Sequence, residues 1–276
     1  MSRIFTKDQR PETPYSLYSF FCLLVSLLFV QFLWVFFTSA LLFLYQIPFT
    51  WHPLLMTDVA TSWDYWTESR LYFVYFIVPL AMLLTGLVLL RKLNKNQSYS
   101  YKERILLNWL SFVLINMFAS GIFAGVFIYD ALGVVVNFMF PNLWFRLTLL
   151  LAPIIVYAST ATLWAKLFLK TAPSSVWISN NRMKFRYILI VYILPLLFAT
   201  VLMVLNSYWQ RRWYLGMSFL SFLVLIVPML GKNMTFINVL VHKSTAPAPQ
   251  LKTVLVLIAL LIALLISSPF VSLRFD

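Results

Sequence analysis

Seven apolar runs follow one another along this chain, and they leave it few folds to choose from. They cover Ser16–Tyr45, Leu71–Leu90, Ile105–Tyr129, Leu143–Ala165, Tyr187–Asn206, Trp213–Leu230 and Leu251–Ser268. Each is near the roughly 20 residues that a transmembrane helix needs. In lipid the backbone must satisfy its own hydrogen bonds, so runs of this kind fold as helices. The first is about 45 Å long as a helix, beyond the ~30 Å hydrocarbon core, and must tilt or project. It is also about twice the apolar core of a cleaved signal, so the reading is a retained helix.

The loops carry the charge. Of 276 residues only 11% are charged, where a soluble domain carries about 25%. Mean hydropathy is +0.87. The net charge of +13 is spread between the apolar runs rather than gathered in one patch. That distribution points to a lipid bilayer and not to nucleic acid. The single cysteine, Cys22, lies in the first run, so the chain has no intramolecular disulfide.

Basic residues set the orientation. With the N-terminus inside, sixteen of the 21 Lys and Arg face the cytoplasm. Arg70, Arg146, Arg211, Arg212 and Arg274 remain outside. Trp51, Trp63, Trp66, Trp144, Trp209 and Trp213 fall near the outer boundary, as interfacial tryptophans do. The expected architecture is all-α: a polytopic bundle of about seven spanning helices, N-in and C-out, in the cytoplasmic (inner) membrane. A cytoplasmic tail of residues 1–15 precedes one bundle over 16–268, and a short tail of 269–276 follows. A Pro/Ala linker, Ser244–Gln250, precedes the last helix.

The third run is the most mixed. Asn108 to Asp130 reads NWLSFVLINMFASGIFAGVFIYD. At about 100° per residue, Asn108, Asn116, Ala119, Ser120 and Asp130 share an arc of roughly 120°. Gly121 and Gly125 form a GxxxG pair on another face. A spanning helix with two faces to hide from lipid belongs at the centre of a bundle. Prolines interrupt four runs, at Pro79, Pro153, Pro195 and Pro228. Helices two and five share a Val/Leu-Pro-Leu core and run in opposite directions, a short echo of an inverted repeat.

The common catalytic designs are missing. His-Glu-x-x-His, Gly-x-Ser-x-Gly and a Walker loop do not occur in the sequence. The outer loop Gln46–Arg70 holds His52, Asp58, Asp64 and Glu68, which could form a metal or cationic-ligand site. One histidine with loosely spaced acids is a poor zinc pattern, so no metal or cofactor is expected. The competing reading is an interfacial helix, N-capped by Asp58, with Trp63, Trp66 and Arg70 toward the membrane. Asp130 and Arg146 are expected to pair across the third hairpin, with ligand binding as the alternative role. At mid-depth stand Gln31, Asn116, Ser120, Ser159, Thr160 and Thr200, all neutral. Ion-coupled carriers place ionisable residues there. The candidate ligand-binding set is therefore Gln31, Asn116, Ser120, Asp130 and Arg146.

Asn108-Trp109, Asn116, Gly121/Gly125 and the loop Ser179–Phe185 running into Leu194-Pro195 resemble a pattern in uncharacterised multi-span bacterial membrane proteins. The resemblance implies a polytopic helical fold in a bacterial inner membrane and carries no functional residue with it. The expected function is that of a membrane-complex subunit or accessory protein without a catalytic site, partnered by other membrane proteins. The alternatives are a carrier or flippase-like protein for a neutral or lipidic molecule, and a membrane-embedded enzyme of unrecognised type.

Overall fold

A computed structural model describes residues 12–57, 59–62, 64–95, 99–127, 132–172, 178–209, 250–267 and 272–275. The chain is mostly helical. Helix α1 spans Glu12–Leu44. Helix α2, Glu68–Tyr72, passes through a π-helical segment, Phe73–Ile77, into α3, Val78–Lys95. Helix α4 covers Tyr101–Phe127, followed by α5, Leu132–Met139. Helices α6, Leu143–Leu149, and α7, Leu151–Leu169, form one span. Helix α8, Asn181–Ile188, runs through a second π segment, Leu189–Ile193, into α9, Leu194–Trp209. Helix α10 is Leu251–Ser267.

Five helical stretches are long and apolar enough to cross a membrane: Tyr15–Leu44, Glu68–Lys95, Tyr101–Phe127, Leu143–Leu169 and Asn181–Leu202. Helix α10 is apolar but shorter, about 25 Å at 1.5 Å per residue. The sixth expected run, Trp213–Leu230, and the linker up to residue 249 lie outside the described residues.

Helix α4 is the hub. It packs against α1, α3, α5, α6 and α7. Its buried residues include Ile105, Trp109, Phe112, Ile115 and Ala119, all at 0% exposure. Contacts along its length fix the direction of its neighbours. Tyr101 at its start meets Tyr15 and Tyr18 at the start of α1, so these two helices are parallel. Trp109 meets Phe168 while Asn116 meets Tyr157, so α7 is antiparallel. Val254 and Ile258 of α10 cluster with Leu24 and the first half of α1. One end of the bundle thus gathers the starts of α1, α4, α8 and α10 with the ends of α3 and α7. Eleven of the fourteen Lys and Arg among the described residues sit on these segments.

A small sheet closes the opposite end. Strand β1, Phe49–His52, forms a hairpin with β2, Leu55–Thr57. Strand β3, Leu273–Phe275, pairs antiparallel with the other edge of β1, so the order is β2-β1-β3. The C-terminal tail therefore returns to the loop that follows α1, and the stacked rings of Phe49 and Phe275 lie 5.1 Å apart.

The expected interfacial helix N-capped by Asp58 is corrected: the described residues 59–62 and 64–67 are not helical, and the hairpin occupies the loop before them. Phe-Thr-Trp-His and Leu-Met-Thr are rich in strand-favouring aromatic and β-branched residues, and they pair locally across His52–Leu55. The helix begins only at Glu68, where Thr67 is the N-cap and its hydroxyl accepts from the Arg70 N–H. Trp66 is tied by its indole N–H to the Ala60 carbonyl at 2.7 Å and stacks on Tyr75. Arg70 donates to the Tyr65 carbonyl and lies over the Tyr45 ring. Asp58 and Trp63 are outside the described residues.

The loop expected between the third and fourth runs is also corrected, because α5 occupies most of it. Gly121 and Gly125 serve this short helix, not a neighbouring span. A Cβ on Gly125 would come within 2.9 Å of the Gly133 Cα, and one on Gly121 within 3.2 Å of Leu132. Asn137 clamps the pair by donating to the Gly125 and Gly133 carbonyls at 2.9 and 2.7 Å. The close approach between two spans is made instead by Gly86 of α3. A Cβ there would sit 2.7 Å from the Ile115 Cγ1 and 3.1 Å from the Ile115 nitrogen.

Candidate functional site

The buried polar groups of α4 lie in two places. Nearer the basic end, the indole of Trp109 is fully buried and donates to the hydroxyl of Ser19 in α1 at 2.8 Å. Ser19 donates in turn to the backbone carbonyl of Val191. Val191 precedes Pro195 by four residues. Proline has no N–H to give that carbonyl, and Ser19 supplies the donor. One hydroxyl thus joins three spans: α1, α4 and the helix containing α8 and α9.

Rings pack around this tie. Trp109 stacks on Tyr192 with centroids 4.8 Å apart and planes 5° from parallel. Phe168 meets Trp109 at 5.0 Å and Tyr192 at 4.4 Å. Phe112 meets Trp164 at 5.0 Å and Tyr192 at 5.8 Å. These separations lie within the range of favourable offset and edge-to-face pairs. Trp164 reaches Ser111 at 3.4 Å, and Ser111 itself donates to the Asn108 carbonyl.

Two turns further along α4, the hydroxyl of Tyr157 in α7 donates to the side-chain oxygen of Asn116. Asn116 is 3% exposed and faces another helix, which is where a polar amide at mid-depth has to face. Its partner differs from those the sequence offered. Gln31 donates instead to the Leu54 carbonyl at 3.0 Å and so ties α1 to the hairpin. Ser159, Thr160 and Thr200 fold their hydroxyls back onto Val156, Val156 and Leu196 of their own helices. Ser120 is buried beside this region at 2% exposure.

The other candidates are not brought together. Asp130 lies outside the described residues, so its pairing with Arg146 does too. Arg146 is half-buried in α6, and its Nε has no hydrogen-bond partner among the described residues. His52 is buried in β1, Asp64 accepts from the Ser62 hydroxyl at 2.8 Å, and Glu68 opens α2 in solvent. Among the described residues no three His, Cys, Asp or Glu side chains stand close enough to share a metal ion.

Known proteins add nothing to this geometry. No protein-family model, curated protein or solved structure matches the chain.

Sequence reasoning missed Ser19, Tyr157 and Tyr192, whose polar atoms hide in apolar runs. The signal that could have found Ser19 is Pro195, because an interior proline frees a carbonyl that a neighbouring helix must satisfy. Two polar groups of the site stay unsatisfied among the described residues: the Asn108 amide, through both its oxygen and nitrogen, and the Tyr192 hydroxyl. Each such group costs the fold about 1–3 kcal/mol.

Proposed function

We propose that this chain is a seven-helix protein of a bacterial inner membrane, N-terminus inside and C-terminus outside, acting as a subunit or accessory of a membrane complex. The observation that carries the reading is how the buried polar groups are engaged. Ser19, Trp109, Asn116 and Tyr157 are bound to other helices of the same chain. Ties of this kind hold a bundle in one arrangement. Eleven basic residues at one end, against Arg70, Arg146 and Arg274 at the other, support the orientation. The experiment is affinity purification of the full chain from membranes in mild detergent. A defined membrane protein recovered at constant stoichiometry supports the reading. Recovery of the chain alone, combined with stabilisation by a small neutral compound, contradicts it.

A second reading, a carrier for a neutral or lipidic molecule, is favoured by one specific observation. Helices two and five carry the same irregularity: a five-residue π segment ending two residues before Pro79 and before Pro195. The aligned residues are Phe-Val-Tyr-Phe-Ile-Val-Pro-Leu and Leu-Ile-Val-Tyr-Ile-Leu-Pro-Leu. π segments concentrate at functional sites, and paired irregular helices recur in transporters built from inverted repeats. Thermal stabilisation of the purified protein by the transported compound tests this reading.

A further inference from the structure

We infer that the hairpin β1–β2 is a re-entrant lid: its tip dips below the membrane surface at the end away from the basic residues, and the side chain of Gln31 latches it there. The inference rests on the membrane reading of the spans and on neither reading of the function. Two lengths and one bond place the tip. Gln31 lies thirteen residues before the end of α1, about 20 Å back along the helix. The Ile47 N–H bonds to the Leu42 carbonyl, which turns the chain at the end of α1. From Phe49 to Leu54 the hairpin runs five residues, about 17 Å at the rise of a strand. The Gln31 amide donates to the Leu54 carbonyl at 3.0 Å, so the hairpin has come back down the side of α1.

That depth lies inside the hydrocarbon. Tyr15 meets Tyr101, the first residue of α4, at the basic end of the bundle. Gln31 is sixteen residues further along α1, about 24 Å, against a core of about 30 Å, and tilting the helix only brings it deeper. Non-helical backbone is tolerated at such depth where the protein meets its polar groups. Strand β1 is paired on one edge with β2 and on the other with β3, and Gln31 meets the Leu54 carbonyl at the tip. Phe49, His52 and Leu54 are buried.

Both strands pack on α1, along the side that carries Gln31. Gln31, Val35, Thr38 and Leu42 share that side of the helix. Val35, Thr38 and Leu42 are fully buried, whereas Phe29, Phe32, Phe36 and Phe43 on the opposite side are exposed. The hydroxyls of Thr38 and of neighbouring Ser39 are buried with no hydrogen-bond partner among the described residues. Opening the hairpin lets water satisfy both, which offsets part of the apolar contact that Phe49 and Leu54 give up. Strand β3 does not hold the hairpin shut by burial, since its three residues are exposed. The Gln31 bond fastens the tip to α1.

The test is thiol labelling of the full chain, in a Cys22→Ala background, in lipid nanodiscs, where both faces meet solvent. Recovery of folded protein in the discs checks the membrane reading by itself. Pro53 at the tip is only half-buried by the protein, and Ser62 is exposed in the same loop. With a hydrophilic maleimide, Pro53→Cys and Leu54→Cys should both react several-fold slower than Ser62→Cys. Gln31→Met keeps the side-chain length and removes the donor. It should speed Leu54→Cys several-fold and leave Ser62→Cys unchanged. Ser26→Ala, on α1 but bonded within the helix to the Cys22 carbonyl, should change neither. Pro53→Cys reacting as fast as Ser62→Cys would overturn the depth of the tip. An unchanged Leu54→Cys rate in Gln31→Met would overturn the latch. If Leu54→Cys does not fold, Pro53→Cys carries both comparisons, and Gln31→Leu replaces Gln31→Met on the same ground.

Discussion

The indole N–H of Trp109 and the hydroxyl of Ser19 meet at 2.8 Å, and through Ser19 the bond continues to the carbonyl of Val191. This makes a serine in the first helix the donor for a backbone group beside Pro195 in the fifth. Replacing Ser19 by Ala leaves two buried groups unsatisfied at once, the Trp109 N–H and the Val191 carbonyl. The expected loss is about 1–3 kcal/mol. Ser26, whose hydroxyl bonds only to the Cys22 carbonyl within α1, is the control. Ser26→Ala should shift thermal unfolding in detergent by much less than Ser19→Ala. Equal shifts would mean that Ser19 does not join the helices.

Asn116 and Tyr157 test the second tie. Asn116→Leu or Tyr157→Phe alone removes one partner, at a cost of about 1 kcal/mol. The double variant should cost less than the two singles added, because the second change removes the group that the first left unsatisfied. Strict additivity in unfolding would show that the two side chains do not interact.

The glycines separate by what they face. Gly125 and Gly86 approach backbone atoms of Gly133 and Ile115, whereas Gly121 meets only the movable side chain of Leu132. Gly125→Ala and Gly86→Ala should therefore each lower stability by about 1–3 kcal/mol, and Gly121→Ala by clearly less. Equal losses at all three positions, measured by thermal unfolding, would contradict these packing distances.

Among the described residues Gln46 is the non-glycine residue with positive φ, at 56°, two residues after the end of α1. The Ile47 N–H reaches back to the Leu42 carbonyl at 3.0 Å, so the helix ends in a left-handed cap that usually takes glycine. Gln46→Gly should be neutral or stabilising. Gln46→Val should destabilise by about 1–2 kcal/mol, because a β-branched residue resists this conformation. The two variants compared by unfolding temperature decide it.

How much of this was legible follows from the range of each interaction. The spanning helices depend on local hydrophobicity, and α1 was expected over Ser16–Tyr45 and found over Glu12–Leu44. The polar stripe on the third span named Asn116 correctly as inward-facing, because lipid permits nothing else. Its partner was not legible. Depth matching proposed Gln31, Ser159, Thr160 and Thr200, yet hydroxyls on helices return to their own backbone and Gln31 is long enough to reach the hairpin. Tyr157 escaped notice because a tyrosine in an apolar run reads as bulk. The hairpin at Phe49–Thr57 was hidden among aromatic residues that an interfacial helix also uses, and its third strand comes from far along the chain, Trp51 pairing with Leu273, 222 residues later. The π segments are set by prolines acting on helices that hydrophobicity alone renders regular.

The central claim is a single bundle whose basic end faces the cytoplasm and whose C-terminal strand returns to the hairpin after α1. Single cysteines at Ser62, Ser179 and Arg274, in a Cys22→Ala background and treated in intact cells with a membrane-impermeant thiol reagent, test it most directly. Ser62→Cys and Arg274→Cys should both react, and Ser179→Cys should react only after the cells are opened. Reaction at Ser179→Cys in intact cells, or opposite results at Ser62→Cys and Arg274→Cys, would contradict the account.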